Sequence, residues 1–161
     1  MFTVEETVPI DRPAEVVFGF VSDPATYPRW RGDVVAVEHV PPGPLARGST
    51  FDQIIASFLG RQRFTFEVTG YEPNGRLELR ATSGPVRPIV TYRVESTGQG
   101  TRLTARIDVH TRGVLRLLEP LMTAGVKKRN TQDVSKLKQI LEGKGPHDAN
   151  VSSEVHPAER P

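Results

Sequence analysis

Apolar and polar residues alternate along most of the chain, and the spacing differs at its two ends. Between residues 34 and 110, apolar side chains recur at every second position between turn signals, which is typical of antiparallel strands with one buried face. Six strands fit this segment, and Phe2, Val4 and Val8 predict one more at the start of the chain. The pair Asn74-Gly75 predicts a hairpin turn of type I′, in which both central residues have positive φ. The pattern therefore predicts seven antiparallel strands.

Two short helices are predicted between the first strand and the other six. Residues 14–21 follow Pro13, which suits the first turn of a helix, and their apolar side chains cover more than one narrow stripe. Ser22-Asp23-Pro24 interrupts this helix, and residues 25–30 fit one further helical turn. We therefore expect both helices to be wedged under other structure.

The third helical pattern lies near the carboxyl end. Residues 114–141 have helical spacing, but the apolar residues before and after Pro120 lie on different faces. We predict a short helix, a break or kink at Pro120, and a long amphipathic helix that ends by Gly143. Residues 143–161 are polar and lack aromatic side chains, which predicts a flexible tail after a single domain at 1–142.

Composition excludes several functional classes. The 161 residues contain no cysteine, so disulfides, thiolate metal sites and cysteine nucleophiles are excluded. A net charge of +2 implies no nucleic-acid partner, and no apolar run approaches the roughly 20 residues of a membrane span, so we expect a soluble, cytoplasmic protein without integral membrane association. No two histidines have ligand spacing, and neither a Gly-x-Ser-x-Gly elbow nor a Gly-rich phosphate loop occurs, so we expect no metal and no cofactor.

The order of elements resembles a known family. A strand, two short helices, six strands and a long helix resemble the helix-grip fold of the START/Bet v 1-like superfamily, SRPBCC, and in particular its bacterial polyketide cyclase/dehydrase and lipid-transport branch. The residues that carry the resemblance, over about 2–142, are Pro13-Ala14-Glu15-Val16-Val17-Phe18, Val21-Ser22-Asp23-Pro24, Tyr27-Pro28-Arg29-Trp30, Gly48-Ser49-Thr50-Phe51, Tyr71-Glu72-Pro73, Gly100-Thr101-Arg102-Leu103 and Leu137-Lys138.

This resemblance implies an α+β fold in which a seven-stranded antiparallel sheet curves around the long carboxy-terminal helix. It also implies a cavity between sheet and helix, roofed by the two short helices and loops. Proteins of the superfamily bind lipids, sterols, hormones or polyketides, and some catalyse cyclisation, aromatisation or dehydration. Such an apolar pocket is a common site for small molecules, although a fold does not select among these activities.

Apolar candidates for the ligand site lie on the apolar side of their strand or helix. They are Phe64, Phe66, Leu79, Tyr92, Leu103, Ala105 and Val126. A solid core would give the same periodicity, so core packing is the alternative for each of them. Trp30 follows the short helices, where the resemblance implies the pocket mouth; alternatively it is a plug that locks these helices to the sheet.

Polar candidates are fewer, because a buried polar group needs a partner. Tyr92, Gln53 and Asn130 lie among apolar positions and could orient a ligand carbonyl or hydroxyl; alternatively they satisfy backbone groups or water. His110 is expected to face solvent. Lys127-Lys128-Arg129 is typical of a solvated face, with contact to an anionic head group as the alternative.

The leading hypothesis is a binding protein that encloses a hydrophobic small molecule, lipid-like or polyketide-like, between the sheet and the long helix. The sequence places no acid/base pair in the apolar interior, and general acid–base catalysis needs one within reach of the substrate. The alternative is a cyclase or dehydratase in which Tyr92 or Asn130 polarises a carbonyl and the pocket shape folds the substrate. A protein-binding module of the heat-shock co-chaperone activator type is the third possibility. The sequence carries no prediction of the oligomeric state.

Overall fold

Seven strands form one antiparallel sheet in the computed structural model, which describes residues 1–57 and 60–143. The strands are β1 (Phe2–Ile10), β2 (Val34–Glu38), β3 (Thr50–Ser57), β4 (Gly60–Glu72), β5 (Arg76–Ala81), β6 (Ile89–Thr97) and β7 (Gly100–Val109). Their spatial order is β1-β7-β6-β5-β4-β3-β2, so the last six strands form a meander and β1 pairs with the last of them. The number and spacing of strands agree with the prediction.

Three helices accompany the sheet. They are α1 (Ala14–Val21), α2 (Tyr27–Trp30) and α3 (Glu119–Leu141), with 3-10 turns at Pro24–Thr26 and Gly113–Leu118. The predicted break lies just before Pro120 rather than at it, because α3 begins at Glu119. Pro120 is in the first turn of α3, where a proline removes no helical hydrogen bond. The segment before it is a 3-10 turn rather than a short α-helix. None of the helices in the described part of the chain is long and apolar enough to cross a membrane.

The hairpin between β4 and β5 is present, but its predicted turn type is wrong. The backbone N–H of Gly75 donates to the carbonyl oxygen of Glu72 at 2.9 Å, so Pro73 and Asn74 are the central residues. Only Asn74 has a positive φ, of 59°, whereas type I′ requires two central residues in that region. Pro73 fixes a negative φ and favours the first central position, which shifts the turn by one residue.

The apolar face of the sheet packs against α1, α2 and the carboxy-terminal half of α3. The main core includes Val17 and Val21 of α1, Trp30 of α2, and Val134 and Leu137 of α3. A second, smaller cluster of Phe2, Val4 and Val109 lies at the β1–β7 edge and is covered by Met122 and Val126 of α3. This arrangement is the expected α+β helix-grip fold. Apart from Gly143, the predicted tail at 143–161 lies outside the described residues.

Candidate functional site

Aromatic rings occupy the space between the sheet and the short helices. Six rings contact one another in sequence, namely Tyr92, Trp30, Tyr27, Phe51, Phe66 and Phe64. The Trp30 ring stands edge-on to Tyr92 and to Tyr27, with centroids 5.8 Å apart in both pairs. The indole N–H of Trp30 donates to the hydroxyl of Thr26 at 3.3 Å, and the Tyr27 hydroxyl donates to the Val21 carbonyl at 2.9 Å. These bonds tie α2 to the preceding 3-10 turn and to α1.

A group of polar side chains adjoins the Tyr92 end of this aromatic row, and Tyr92 belongs to both. We call Arg31, Asp33, Gln53, Tyr92 and Asp133 the interior polar cluster. The guanidinium Nη1 of Arg31 donates to Gln53 Oε1 at 3.4 Å, and its Nη2 lies 3.5 Å from Asp33 Oδ1. Gln53 has no exposed surface and Arg31 is nearly as buried. The cluster therefore places ionisable groups inside a largely apolar core.

Asp133 connects α3 to the loop that follows α2. Its Oδ1 accepts a hydrogen bond from the backbone N–H of Gly32 at 3.0 Å. Burial raises the pKa of this carboxyl, while the Gly32 hydrogen bond and the positive charge of Arg31 act in the opposite direction. A side chain at position 32 would collide with the guanidinium of Arg129, which covers this part of the loop.

Arg31 and Tyr92 influence each other's titration. Burial opposes the charge on Arg31, but the surrounding groups, Asp33 first, outweigh this effect and raise its pKa. Burial raises the pKa of Tyr92, and the nearby charge of Arg31 opposes that rise. The Tyr92 hydroxyl is therefore neutral near pH 7, while Arg31 keeps its charge.

Gln53 holds an amide group with an unused donor. Its Nε2 is buried and has no hydrogen-bond partner among residues 1–57 and 60–143. Because arginine donates hydrogen bonds and accepts none, Arg31 fixes the amide with its oxygen toward the guanidinium and its nitrogen away from it. An unpaired buried donor of this kind costs roughly 1–3 kcal/mol. Oxygen acceptors of a bound molecule would remove that cost.

The structure brings most of the predicted site residues together. The buried ones are Trp30, Gln53, Phe64, Phe66, Leu79, Tyr92, Leu103, Ala105 and Asn130. Asn130 already has a structural partner, because its Nδ2 donates a hydrogen bond to the backbone oxygen of Ala105 in β7 at 3.1 Å. Val126 is half-buried in the second cluster at the β1–β7 edge and does not join the aromatic row. His110 is exposed, as expected.

Sequence reasoning missed three charged members of the cluster. Asp133 lies three residues after Asn130 and four before Leu137, a spacing that places all three on one face of α3 and could have revealed it. Arg31 and Asp33 lie in a short loop without periodicity, and their residue types are typical of a surface. Their burial depends on the packing of α2 beneath α3, which no local pattern encodes.

Two surface clefts lie away from these residues. One, of about 450 Å³, lies on the outer face of the sheet and is lined by charged side chains such as Arg76, Glu78 and Arg93. The other, of about 420 Å³, lies between the start of α1 and the β6–β7 turn. Neither is lined by any predicted site residue. Within the described residues, no group of three or more His, Asp or Glu side chains could hold a metal ion.

Comparison with known proteins identifies relatives of this fold. The family described as polyketide cyclase / dehydrase and lipid transport matches residues 1–142. Among solved structures, a protein from Thermus thermophilus has 16% identity and a TM-score of 0.74, covering 89% of this chain and 99% of its own. A START superfamily protein from Mycobacterium smegmatis has 20% identity and a TM-score of 0.63, with 88% and 95% covered.

A third similar structure is the di-domain ARO/CYC StfQ from the steffimycin biosynthetic pathway. It has 12% identity and a TM-score of 0.68, and the match covers 88% of this chain and 51% of that one. No curated protein matches the chain. At these identities the structural neighbours show the shared fold alone.

Proposed function

Because the chain belongs to the polyketide cyclase / dehydrase and lipid transport family, we propose that it binds a hydrophobic small molecule, lipid-like or polyketide-like, between the sheet and α3. The apolar part of the ligand contacts the aromatic row. An oxygen acceptor of the ligand, such as a carbonyl, accepts from the Nε2 of Gln53. The interior polar cluster thereby sets the orientation of the ligand.

The observation that carries this proposal is the unpaired amide nitrogen of Gln53. Most buried polar groups in proteins have partners, and an exception calls for a physical reason. A second buried amide, Asn130, has its backbone partner, whereas the Nε2 donor of Gln53 has none among the described residues. A bound carbonyl oxygen would complete its hydrogen bonding without introducing a charge.

Ligand entry requires a change in the aromatic row, because its rings are already in contact. Trp30 is the residue best placed to move. It ends a helix of one turn, and a single 3.3 Å hydrogen bond to Thr26 holds its indole nitrogen. Displacement of this ring would open space beside Tyr92, a member of the interior polar cluster. Trp30 is the only tryptophan of the chain, so its fluorescence reports on this step directly.

The test compares two probes that differ by one carbonyl, fluorenone and fluorene, by isothermal titration calorimetry. We expect the parent protein to bind fluorenone more tightly, by up to about tenfold, the value of one neutral hydrogen bond. Gln53→Leu should remove this preference while affinity for fluorene is retained. Trp30 emission should change on binding of either probe.

Gln139→Leu provides the matched control, because Gln139 is an exposed glutamine on α3. This variant should keep the parent's preference for fluorenone. Gln53→Met gives a second replacement of similar shape if the leucine variant unfolds. Failure of the parent to bind either probe would contradict the proposed function, whereas equal affinities for the two would contradict only the role of Gln53.

Catalysis is the second candidate function, and Asp133 is the observation that favours it. A carboxyl with a raised pKa beside Arg31 and Tyr92 has the properties of a general acid or base. The sequence-based argument against catalysis, that no such group could be placed in the interior, therefore does not hold. In this reading the cluster promotes cyclisation or dehydration of a bound polyketide-like substrate.

This candidate is tested with a β-ketoacyl thioester substrate and detection of cyclised or dehydrated products by mass spectrometry. Asp133→Asn keeps an oxygen that can accept from Gly32 and removes the titratable carboxyl group. A general acid or base at Asp133 predicts that the variant loses turnover by about 10²–10⁴-fold with fluorenone affinity unchanged. A parent that binds the substrate and forms no product leaves binding as the function.

A further inference from the structure

Apolar side chains are exposed together where the chain passes from β7 into α3. We call Val114, Leu115, Leu117, Leu118 and Leu121 the apolar patch. Leu117 is 81% exposed, Val114 77% and Leu121 75%, and nothing in the described part of the chain covers them. Isolated apolar residues are common on surfaces, but a group of this kind indicates an interaction site.

Basic residues flank the apolar patch on both sides. Residues 112–129 contain five basic side chains, Arg112, Arg116, Lys127, Lys128 and Arg129, and a single acidic one, Glu119. The whole chain has a net charge of only +2, so the remainder of the protein is net negative. Positive charge is therefore concentrated in the segment that carries the exposed apolar side chains, although the guanidinium of Arg129 itself lies against Gly32.

Glu119 does little to offset this charge. Its carboxylate accepts hydrogen bonds from the amino terminus at 2.9 Å and from the hydroxyl of Thr111. The Thr111 hydrogen bond and that from the amino terminus hold the pKa of Glu119 below its usual range, so it remains ionised and paired. The amino terminus neutralises the one acidic group of the segment.

The helix geometry presents apolar and basic groups on one surface. Leu121 and Lys128 are seven residues apart on α3 and share a face, with Gly125 between them. The buried residues Asn130 and Leu137 lie on the opposite face, against the sheet. Leu121 can thus enter a bilayer interface while Lys128 on the same face meets its head groups.

We propose that the apolar patch and its flanking basic residues dock the protein onto an anionic lipid surface. Segments that bind at such interfaces combine exposed Leu and Val with Lys and Arg, and binding gains from both apolar burial and attraction to anionic lipids. A second copy of the chain would bury the apolar side chains, but it would bring two positively charged segments together. This docking is independent of the ligand proposed above.

The test is flotation of the full-length protein with phosphatidylcholine vesicles, with and without phosphatidylserine. We expect binding to vesicles that contain phosphatidylserine and a marked loss of binding at high salt. The double substitution Leu117→Ser and Leu121→Ser should weaken binding at least about tenfold. Lys127→Gln with Lys128→Gln should weaken it by about fivefold for each charge removed.

Two matched controls alter similar side chains outside the patch. Val40→Ser changes an exposed apolar residue after β2, and Lys136→Gln changes an exposed lysine further along α3. Both variants should bind vesicles as the parent does. All substituted positions of the patch are exposed, and circular dichroism checks that the fold is retained.

Three outcomes would overturn the proposal. The first is a parent protein that binds no anionic vesicles, and the second is vesicle binding that the double serine variant retains in full. The third is size-exclusion chromatography showing a dimer that Leu117→Ser with Leu121→Ser converts to a monomer, without vesicle binding by either. That result would assign the patch to self-association.

Discussion

At the scale of single residues, the interior polar cluster is the feature that most distinguishes this core from a simple apolar one. Removing charged groups from water is costly unless their partners compensate. Arg31 has Gln53 and Asp33 within 3.5 Å, and Asp133 has the backbone of Gly32, so each charge is partly compensated. Within the cluster, the amide nitrogen of Gln53 is the donor left without a partner among the described residues.

The raised pKa of Asp133 predicts how stability depends on pH. The folded state binds this proton more tightly than the unfolded state, whose carboxyl titrates near 3.8. Between pH 3.8 and the raised pKa of the folded state, the folded protein holds more protons than the unfolded one. Its stability therefore falls as pH rises through this window. We therefore expect the unfolding free energy of the parent, relative to Asp133→Asn, to fall across this window and to be constant above it. Urea unfolding at a series of pH values measures the difference.

Asp108→Asn is the control with the opposite sign. The hydrogen bonds from Arg106 lower the pKa of Asp108, with burial opposing and Thr3 contributing further. The stability that Asp108 contributes is present above pH 3.8, and it is lost as pH falls through the lowered pKa that Asp108 has in the folded state. The same slope in both comparisons would contradict the assignment for Asp133.

At the scale of elements, the β4–β5 hairpin shows how a neighbouring residue changes the use of a motif. Asn-Gly favours type I′ turns because both residues tolerate positive φ. Pro73 instead occupies the first central position, Asn74 takes the left-handed conformation, and Gly75 does not need it. The hairpin could be predicted from the pair, but the turn type depended on the preceding proline.

This turn predicts unequal effects of two alanine substitutions. Asn74→Ala should lower the unfolding free energy by about 1 kcal/mol, because alanine is strained at a φ of 59°. Gly75→Ala should change it by less than about 0.5 kcal/mol. A Cβ at position 75 would lie no closer than 3.7 Å to any neighbouring atom, the nearest being the Glu72 carbonyl oxygen, which is an ordinary contact distance. Thermal or urea unfolding of both variants measures the effects; a larger loss for Gly75→Ala would restore the type I′ assignment.

At the scale of the whole molecule, α3 has two halves with different surroundings. Its carboxy-terminal half contributes Val134 and Leu137 to the main core, and Asp133 to the interior polar cluster. Its amino-terminal half packs Met122 and Val126 on the β1–β7 edge, and Leu121 faces solvent. The helix is therefore anchored mainly by its last turns.

This asymmetry predicts that equivalent truncations at the two ends of α3 have unequal effects. Leu137→Ala removes a fully buried side chain and should lower the unfolding free energy by roughly 2–5 kcal/mol. Leu121→Ala should change it by no more than about 0.5 kcal/mol, because its side chain is mostly exposed. Urea unfolding of the two variants tests this, and similar losses would indicate that the first turn of α3 is packed in solution.

The sequence by itself determined the order of the elements and the side of each strand that turns inward. Local spacing encodes these properties: a period of two sets the faces of a strand, and helical spacing sets the buried stripe of α3. It therefore identified Gln53, Tyr92 and the buried phenylalanines as inward-facing positions.

Only the tertiary structure decided what those positions meet. Residues 31, 53 and 133 are far apart in sequence, and their contact depends on how α2 packs between the sheet and α3. The tertiary structure also decided that Val126 covers a separate edge cluster and that the leucines of residues 114–121 remain exposed. Periodicity specifies that a face is apolar, but the length of the sheet and the packing of distant elements determine whether anything covers it.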